Sequence, residues 1–204
     1  MLLSDTADKA LWDYLDRSLL AGIDLILSCG DLPAEYLSFL TCFTNAPILY
    51  VRGNHDTKYN YHAPEGCVCI ENTIYEYEGV RILGLGGSMK YRESPCMYTE
   101  RQMTWRVVKL WWKLFRRKGF DILLTHAPAR GVGDQEDLPH RGFQTFNRLM
   151  DRYKPRYMVH GHVHMEYAAA SFKRERRYAD TVVINAYKRF VIDYPTYLTA
   201  GSGE

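Results

Sequence analysis

The chain repeatedly places an aspartate, an asparagine or a histidine directly after a short apolar segment, and this arrangement constrains its fold most. Asp5 follows LLS, Asp31 follows LILSCG and Asn54 follows ILYVRG, so these side chains lie 26 and 23 positions apart. Intervals of that length are typical of a strand, a crossover helix and the next parallel strand. Parallel strands joined by crossovers end at the same sheet edge, so we expect the three side chains to converge.

The segments between and after these strands predict helices and further strands. Residues 9–20 and 33–43 have helical spacing of apolar residues, and Pro33 lies in the first turn of the second helix. A hairpin turns at Glu78-Gly79, and a long helix begins at the capping residue Thr99 and ends at Gly119. The strand FDILLTHAP, the helix FQTFNRLMDRY, the strand RYMVHGHVH and antiparallel strands at 168–194 follow. This mixture favours a layered α/β sandwich over a single parallel sheet.

The composition argues against several classes of protein. The chain has 204 residues and a formal net charge of +2, which creates no global field that would attract nucleic acid or a membrane. No apolar run approaches the length of a membrane span, and the N-terminus lacks the pattern of a signal peptide. Five cysteines without zinc-site spacing predict buried free thiols in a reducing cytosol. We therefore expect one cytoplasmic domain over residues 1–204, with a flexible tail at about 199–204.

Three histidines continue the strand-end pattern in the second half of the chain. His126 follows FDILLT, and His162 and His164 follow RYMVHG. Glycines flank most of the polar strand ends, as at Gly53 and Gly161. Glycine lets the backbone turn sharply away from a strand and lets a ligand approach closely. The polar side chains of both halves are therefore candidates for one shared site.

The motifs GD, GNHD, THAP and GHVH occur in this order, at Asp31, at 54–56, at His126 and at 162–164. Together they resemble the motifs of the calcineurin-like metallophosphoesterase superfamily, and the resemblance extends from Leu2 to about Asp193. It implies a four-layer αββα sandwich of two mixed β-sheets flanked by helices. It also implies a metal-dependent phosphoesterase, for which a phosphodiester is favoured over a phosphomonoester.

The resemblance implies two divalent metal ions, with Mn, Fe, Zn, Ni or Co as candidates. The implied ligands are Asp5, Asp31 and His164 at the first site, and Asp31, Asn54, His126 and His162 at the second. Asp31 would bridge the two ions, because a shared carboxylate offsets their repulsion. The family motif opens with Asp-x-His, but this chain has Ala7 where the histidine belongs. We therefore expect weaker metal binding at the Asp5 site, unless Asp8 or another nearby side chain fills the gap.

The resemblance also implies roles in the reaction. A metal-bound hydroxide would attack phosphorus, and His55 would protonate the leaving oxygen as general acid. Asp56 would orient His55 through its other ring nitrogen, and a plain turn or capping role is the alternative. Asn54, His140 and Arg52 are candidates for substrate binding. The alternatives are a surface-loop position for His140 and a salt bridge at the strand end for Arg52.

The basic helix at 101–118 has two interpretations. Trp105, Val108, Trp112 and Phe115 recur along it at helical spacing, among seven basic residues and no acidic one. In the favoured interpretation the aromatic face covers the sheet and the cationic face is solvated. In the other, an amphipathic cationic helix binds a membrane or nucleic acid.

Two other functions stay open besides the phosphoesterase of small molecules. A catalytically weakened binding or scaffold protein on the same fold is supported by Ala7 and opposed by the intact His55-Asp56 pair. A nuclease would use the basic helix at 101–118. The expected partner is a small-molecule phosphoester. Nucleic acid is less favoured and no membrane partner is expected, and the sequence does not predict the oligomeric state.

Overall fold

The computed structural model describes residues 1–165 and 173–195. Within them, two large mixed β-sheets lie face to face and helices cover their outer faces. The predicted αββα sandwich is therefore confirmed. The predicted tail at 199–204 and the predicted strand residues 168–172 lie outside the described residues.

The strands and helices alternate along residues 2–50, as the strand-end spacing predicts. The strands are β1 (Leu2–Ser4), β2 (Ile26–Ser28), β3 (Ile48–Tyr50), β4 (Val68–Cys69), β5 (Thr73–Tyr77), β6 (Val80–Leu85), β7 (Ser88–Met89), β8 (Met97–Tyr98), β9 (Ile122–Thr125), β10 (Tyr157–His160), β11 (Glu175–Tyr178), β12 (Thr181–Asn185) and β13 (Lys188–Phe190). The α-helices are α1 (Lys9–Trp12), α2 (Ala34–Thr41), α3 (Glu100–Lys109), α4 (Trp111–Arg116) and α5 (Gln144–Tyr153).

Both large sheets have a parallel centre, with an antiparallel strand at one edge of the first sheet and at both edges of the second. The first sheet has the order β13-β1-β2-β3-β4, in which β13 alone is antiparallel to its neighbour. The second has the order β11-β12-β10-β9-β6-β5, with β5 and β11 antiparallel at the two edges. The parallel strands of each sheet therefore all end at one edge. The predicted hairpin joins β5 to β6, and both of its turn residues, Glu78 and Gly79, have positive φ angles.

The two-residue period of the strands divides their side chains between separate core layers. Leu2 points into the layer between the sheets, and Leu3 points into the layer under the N-terminal helices. In the second sheet Ile82 contributes to the shared layer, whereas Leu83 packs under the helices of that sheet. Because adjacent residues face opposite sides of a strand, short fully apolar strands can serve two layers at once.

The N-terminal helices are shorter than the apolar pattern predicts. The segment 9–20 forms α1 and then a separate 3₁₀ turn over Arg17–Leu20. Leu15, which lies between them, has a positive φ of 45° and cannot continue a right-handed helix. Pro33 occupies the N-cap position, directly before the first helical residue of α2, instead of lying in its first turn.

The long basic helix is also two helices, and its aromatic face does not cover the sheet. Thr99 caps α3 through a reciprocal pair of hydrogen bonds with Gln102, as predicted, and the helix is interrupted at Leu110 before α4 begins. Met103, Leu110 and Leu114 supply the buried side, while Trp105, Val108, Trp112 and Phe115 are exposed. The predicted orientation is wrong because the helix carries two apolar stripes, and only one of them can face the sheet.

The cysteines are free thiols, as predicted, but not all are buried. Cys29 and Cys96 are buried, whereas Cys42 and Cys69 are exposed to solvent. An unpaired cysteine behaves as a small apolar residue and favours burial, and short edge segments such as β4 override that tendency. Among the described residues, no helix is both long enough and apolar enough to cross a bilayer.

Candidate metal centre

The polar strand ends of both sheets meet at the shared carboxyl edge of the sandwich. Asp5, Asp31 and Asn54 come from the loops after β1, β2 and β3 of the first sheet. The loops after β9 and β10 of the second sheet supply His126, His162 and His164. The structure therefore brings together side chains that lie as far apart in sequence as Asp5 and His164, as the strand-end pattern predicts.

Four of these side chains converge tightly on one point. The Nε2 atom of His126 lies 2.9 Å from Oδ1 of Asn54, 3.1 Å from Nδ1 of His162 and 3.3 Å from Oδ2 of Asp31. Ligand atoms of Asp31, His126 and His162 all lie within 4.8 Å of one another. His126 is fully buried, and Asn54 and His162 are nearly so. This set corresponds to the second metal site that the motifs imply.

Backbone carbonyls determine which ring nitrogens face the centre. Nδ1 of His126 donates to the carbonyl of Cys29 at 2.8 Å, and Nε2 of His162 donates to the carbonyl of Pro139 at 2.7 Å. A carbonyl only accepts, so each outward nitrogen carries a hydrogen. In the neutral rings the two inward nitrogens are then lone-pair acceptors that face each other at 3.1 Å. Such a pair requires a cation or an additional proton between its members.

The charges at this point favour a positive centre. Burial opposes protonation of His126, but the carboxylates of Asp31 and Asp5 outweigh it and raise the pKa of His126 to about 9. Burial, and then the charge of His126, lowers the pKa of His162 to about 3. These opposite shifts favour a proton on His126 over one on His162. The two oxygens and two imidazole nitrogens form a donor set that fits a divalent transition metal at the same place.

The first implied site is less tightly assembled. Both carboxylate oxygens of Asp5 accept the backbone N–H of His162, at 2.9 and 3.0 Å. Nε2 of His164 lies 3.9 Å from Oδ1 of Asp5, and the His164 side chain is 42% exposed. Burial raises the pKa of Asp5. The Asp5 carboxylate is thus fixed by the backbone of the opposite sheet, whereas His164 reaches it from the cleft.

Neither neighbour of Asp5 replaces the missing histidine. Ala7 is half-buried and packs against the core layer under the N-terminal helices. Asp8 caps α1 by accepting the N–H of Ala10 at 2.9 Å, and its other oxygen accepts from Arg189 at 2.7 Å. Asp8 therefore has structural partners and does not fill the gap.

Unusual backbone conformations shape the ligand loops. Asp5, Asp31 and His162 have positive φ angles of 64°, 57° and 67°, a region that residues other than glycine rarely adopt. A Cβ atom on Gly53 would lie 2.1 Å from Oδ1 of Asp31, and one on Gly161 would lie 1.8 Å from the hydroxyl of Ser4. The flanking glycines therefore permit the close approach of the ligand loops.

The GNHD loop places His55 in the cleft, whereas the contacts of Asp56 differ from the prediction. His55 is exposed, lines the cleft and donates its backbone N–H to Oδ1 of Asp31 at 2.8 Å. Asp56 is buried, and its Oδ2 accepts the N–H groups of Asp31 and Gly53, both at 2.7 Å. Within the described part of the chain, no hydrogen bond joins Asp56 to His55. The contacts of Asp56 are thus of the turn-fixing kind named as the alternative. Burial followed by the charge of Asp31 raises the Asp56 pKa to about 7.

The two other substrate-binding candidates lie in different surroundings. Arg52 forms an ion pair with Glu71 at 2.7 Å and donates to Asn60 at 2.7 Å, so its guanidinium is engaged away from the cleft. The strand-end salt bridge expected as the alternative is thus the one observed. His140 lies at the cleft, with its ring 5.2 Å from that of His162 and its Nδ1 donating to Asp137 at 2.7 Å.

An open cleft of about 700 Å³ lies above the ligand cluster. It is lined by Asp5, Asp31, Asn54, His55, Tyr91, Gln135, Pro139, His140, His162 and His164. Sequence reasoning missed Tyr91, Gln135 and Pro139. Tyr91 follows the glycine-rich segment GLGGSMK, and the other two share the long loop of His140, so their proximity to motif residues was the available signal.

Comparison with known proteins agrees with the geometry. The model of the calcineurin-like phosphoesterase family matches residues 3–166, which is most of the chain. The chain belongs to the calcineurin-like phosphoesterase family. The match spans every strand-end ligand of this centre, from Asp5 to His164. A search of curated proteins gave no match.

Solved structures share the calcineurin-like phosphoesterase fold at low sequence identity. One crystal structure superposes with a TM-score of 0.64 at 16% identity, over 92% of this chain and 90% of its own. TT1561 of Thermus thermophilus gives 0.62 at 18% identity, over 91% and 88% of the two chains. GAP50, the anchor in the inner membrane complex of Plasmodium, gives 0.54 at 12% identity, over 92% and 70%. Identities this low support the shared fold and no more.

We expect Asp31→Ala to abolish stable metal binding while the fold survives. Asp31 is the carboxylate that the motifs place between both implied sites, and its removal also unbalances the charge on His126. Metal per chain after dialysis, measured by mass spectrometry, should fall from that of the wild type to the background. Circular dichroism should stay unchanged.

The exposed carboxylate variant Asp193→Ala is the matched control and should keep the wild-type metal content. Retention of metal by Asp31→Ala would show that the remaining ligands suffice and that Asp31 does not bridge.

Proposed function

We propose that this calcineurin-like phosphoesterase hydrolyses a phosphodiester with the help of two bound divalent metals, of which manganese is the first to test. The observation that carries the proposal is the convergence of the inward ring nitrogens of His126 and His162 with the side-chain oxygens of Asp31 and Asn54. The free thiols support a reducing compartment, so a cytoplasmic location is part of the proposal.

The residues of the centre divide the work of binding and proton transfer. Bound divalent metals would act as Lewis acids and would lower the pKa of water, so that hydroxide is available as the nucleophile near neutral pH. Asn54, whose side chain sits at the cleft floor, would contact both metal and substrate. His55 lines the cleft and would donate a proton to the leaving oxygen. Tyr91 and His140 would hold the substrate at the rim.

The charge of the cleft favours a diester. Among the described residues, no lysine or arginine side chain lines it. Apart from the proposed metals, such a lining offers no cationic side chain for the second negative charge of a phosphomonoester, whereas a diester carries one charge. The same lining weakens the nuclease alternative, because the cations of the basic helix do not border the cleft.

A substrate screen tests the proposal. Purified protein is assayed with bis(nitrophenyl) phosphate and nitrophenyl phosphate, with Mn, Ni, Co, Zn or Mg added in turn. We expect metal-dependent turnover that favours the diester. Metal binding without turnover of either ester would reject the enzyme and leave the binding protein.

His55→Ala should retain its metals and lose turnover in a way that depends on the leaving group. His55 contributes no ligand atom to the cluster, and a general acid matters most when the leaving oxygen needs a proton. We expect a loss of about 10²–10⁴-fold on an alkyl phosphodiester and a much smaller loss on a nitrophenyl diester.

His62→Ala, at an exposed histidine seven positions along the chain, is the matched control and should behave as the wild type. Equal losses of His55→Ala on both esters would indicate that His55 acts through the loop conformation instead of proton transfer.

The alanine at position 7 supports a second candidate, a metal-binding protein with weakened catalysis. The cluster around His126 is complete, whereas the Asp5 site has a half-exposed His164 and no replacement for the missing imidazole among the described neighbours. We therefore propose unequal sites, in which one metal survives purification and the other exchanges with solvent. The active enzyme needs both, and a binding protein needs only the first.

Ala7→His should tighten the weaker site. Titration of dialysed protein with manganese, with metal per chain and activity followed together, should show that activity rises after the first metal is already bound. In Ala7→His the activation curve should move to lower manganese concentration, because an added imidazole ligand strengthens the site.

Ala7→Gln, which adds bulk without an imidazole, controls for the partial burial of this position. An identical shift in Ala7→Gln, or two tightly held metals in the wild type, would contradict unequal sites.

A further inference from the structure

An exposed aromatic surface lies on the outer side of α3 and α4, away from the metal centre. Its five residues, here called the aromatic ridge, are Trp105, Val108, Trp111, Trp112 and Phe115, and they are 46–71% exposed. The helices have already buried Met103, Leu110 and Leu114 against the second sheet. The ridge is therefore a second apolar face that the described part of this chain does not cover.

The spacing of the ridge places it opposite the buried side. Trp105, Val108, Trp112 and Phe115 follow one another at intervals of three and four residues, and Met103, Leu110 and Leu114 on the inner side follow at intervals of seven and four. A surface helix normally has one such stripe and a polar outer face. Here the outer face carries large indole and phenyl rings, so its exposure requires a specific explanation.

Cations surround the ridge. Arg101, Lys109 and Arg116 are exposed on the same helices, and Arg148 and Arg152 are exposed on the adjacent α5. The one carboxylate of α3, on Glu100, accepts hydrogen bonds from the first turn of α5 and is not part of the outer face. Glu76 is occupied by an ion pair with Arg117. The apolar ridge is thus bordered by a net positive charge.

The shape of the surface distinguishes between two kinds of partner. Trp111 and Phe115 line a groove of about 680 Å³ between these helices and α5. Trp112 and Arg116 line another of about 740 Å³ beside β5. The helix α4 therefore projects between two grooves as a convex ridge. A folded protein partner would need a matching trough, whereas a bilayer deforms around a ridge.

We propose that the aromatic ridge docks this protein on the surface of an anionic lipid bilayer. Tryptophan and phenylalanine insert at the level of the lipid headgroups, and the surrounding arginines and lysines attract anionic lipids. The proposal does not depend on the catalytic function. The cleft opens at the carboxyl edge of the sheets while the ridge faces out from the helix layer, so docking leaves the cleft open to solution. The sequence pattern predicts no membrane partner, because it places these rings on the sheet.

Vesicle co-sedimentation tests the proposal. The full chain is mixed with vesicles of phosphatidylcholine, with or without phosphatidylglycerol, at low and high salt. We expect binding to the vesicles with phosphatidylglycerol, a blue shift of tryptophan emission on binding, and loss of binding at high salt. Binding that is equal on both vesicles, or absent from both, would overturn the proposal.

Two variants separate the apolar and the cationic contributions. Trp112→Ser with Phe115→Ser should weaken vesicle binding at least about tenfold, since each removes a ring that enters the bilayer. Lys109→Glu with Arg116→Glu should do the same, because each cation near an anionic surface strengthens binding about fivefold. Tyr14→Ser with Lys9→Glu, on the opposite helix layer, is the matched control and should bind as the wild type. All substituted residues are exposed, so thermal stability should be unchanged.

Parallel measurements address the other occupants of the ridge. A concentration-dependent dimer that the Trp112→Ser, Phe115→Ser variant loses would assign the ridge to a second copy of this chain. Salt-dependent binding of a single-stranded oligonucleotide that the same variant loses would assign it to nucleic acid. Either result would overturn the lipid proposal.

Discussion

The hydrogen bond from Nδ1 of His126 to the carbonyl of Cys29 is the contact on which the metal centre depends. It joins the loop after β9 of the second sheet to the loop after β2 of the first, at 2.8 Å in a fully buried place. Because it occupies the outer nitrogen of the ring, Nε2 has to face Asp31 and Asn54. One backbone carbonyl therefore orients the central histidine and links a loop of one sheet to a loop of the other.

Three of the other candidate ligands lie at positions where the backbone conformation is strained. Asp5, Asp31 and His162 all adopt left-handed conformations, each of which costs about 1–3 kcal/mol. The conformations are held by hydrogen bonds between the loops, such as that from the N–H of His162 to Asp5 and those from the loop N–H groups to Asp56. Asp56 thus contributes to the centre through the shape of the loop, although its side chain neither lines the cleft nor forms a hydrogen bond with the side chain of His55.

The convergence of the candidate ligands could be predicted from the sequence because each follows an apolar strand, and topology then brings strand ends together. The partners of Arg52 and Asp56 could not be predicted from the sequence. Arg52 could have bound a phosphate or formed a salt bridge, and Asp56 could have bonded to His55 or to backbone N–H groups. The outcome depends on distances that the spacing of residues does not encode. The predicted orientation of the basic helix was wrong for a different reason. Residues 103–115 contain two apolar stripes, and periodicity cannot tell which of them meets the sheet. The aromatic stripe has the larger apolar side chains, so its burial would remove more apolar surface from water. Met103, Leu110 and Leu114 nevertheless pack against the sheet.

The two implied metal sites also differ in how their ligands are supported, and this difference explains how the chain tolerates Ala7. Both imidazole ligands at the His126 cluster have their outer ring nitrogen held by a backbone carbonyl, so the cluster keeps its geometry without help from position 7. The Asp5 carboxylate still closes the gap between the sheets through the N–H of His162. The structural function of Asp5 is therefore independent of its function as a ligand. The hydrogen bonds from His162 to Asp5 do not involve position 7, so the junction of the sheets is intact with alanine there.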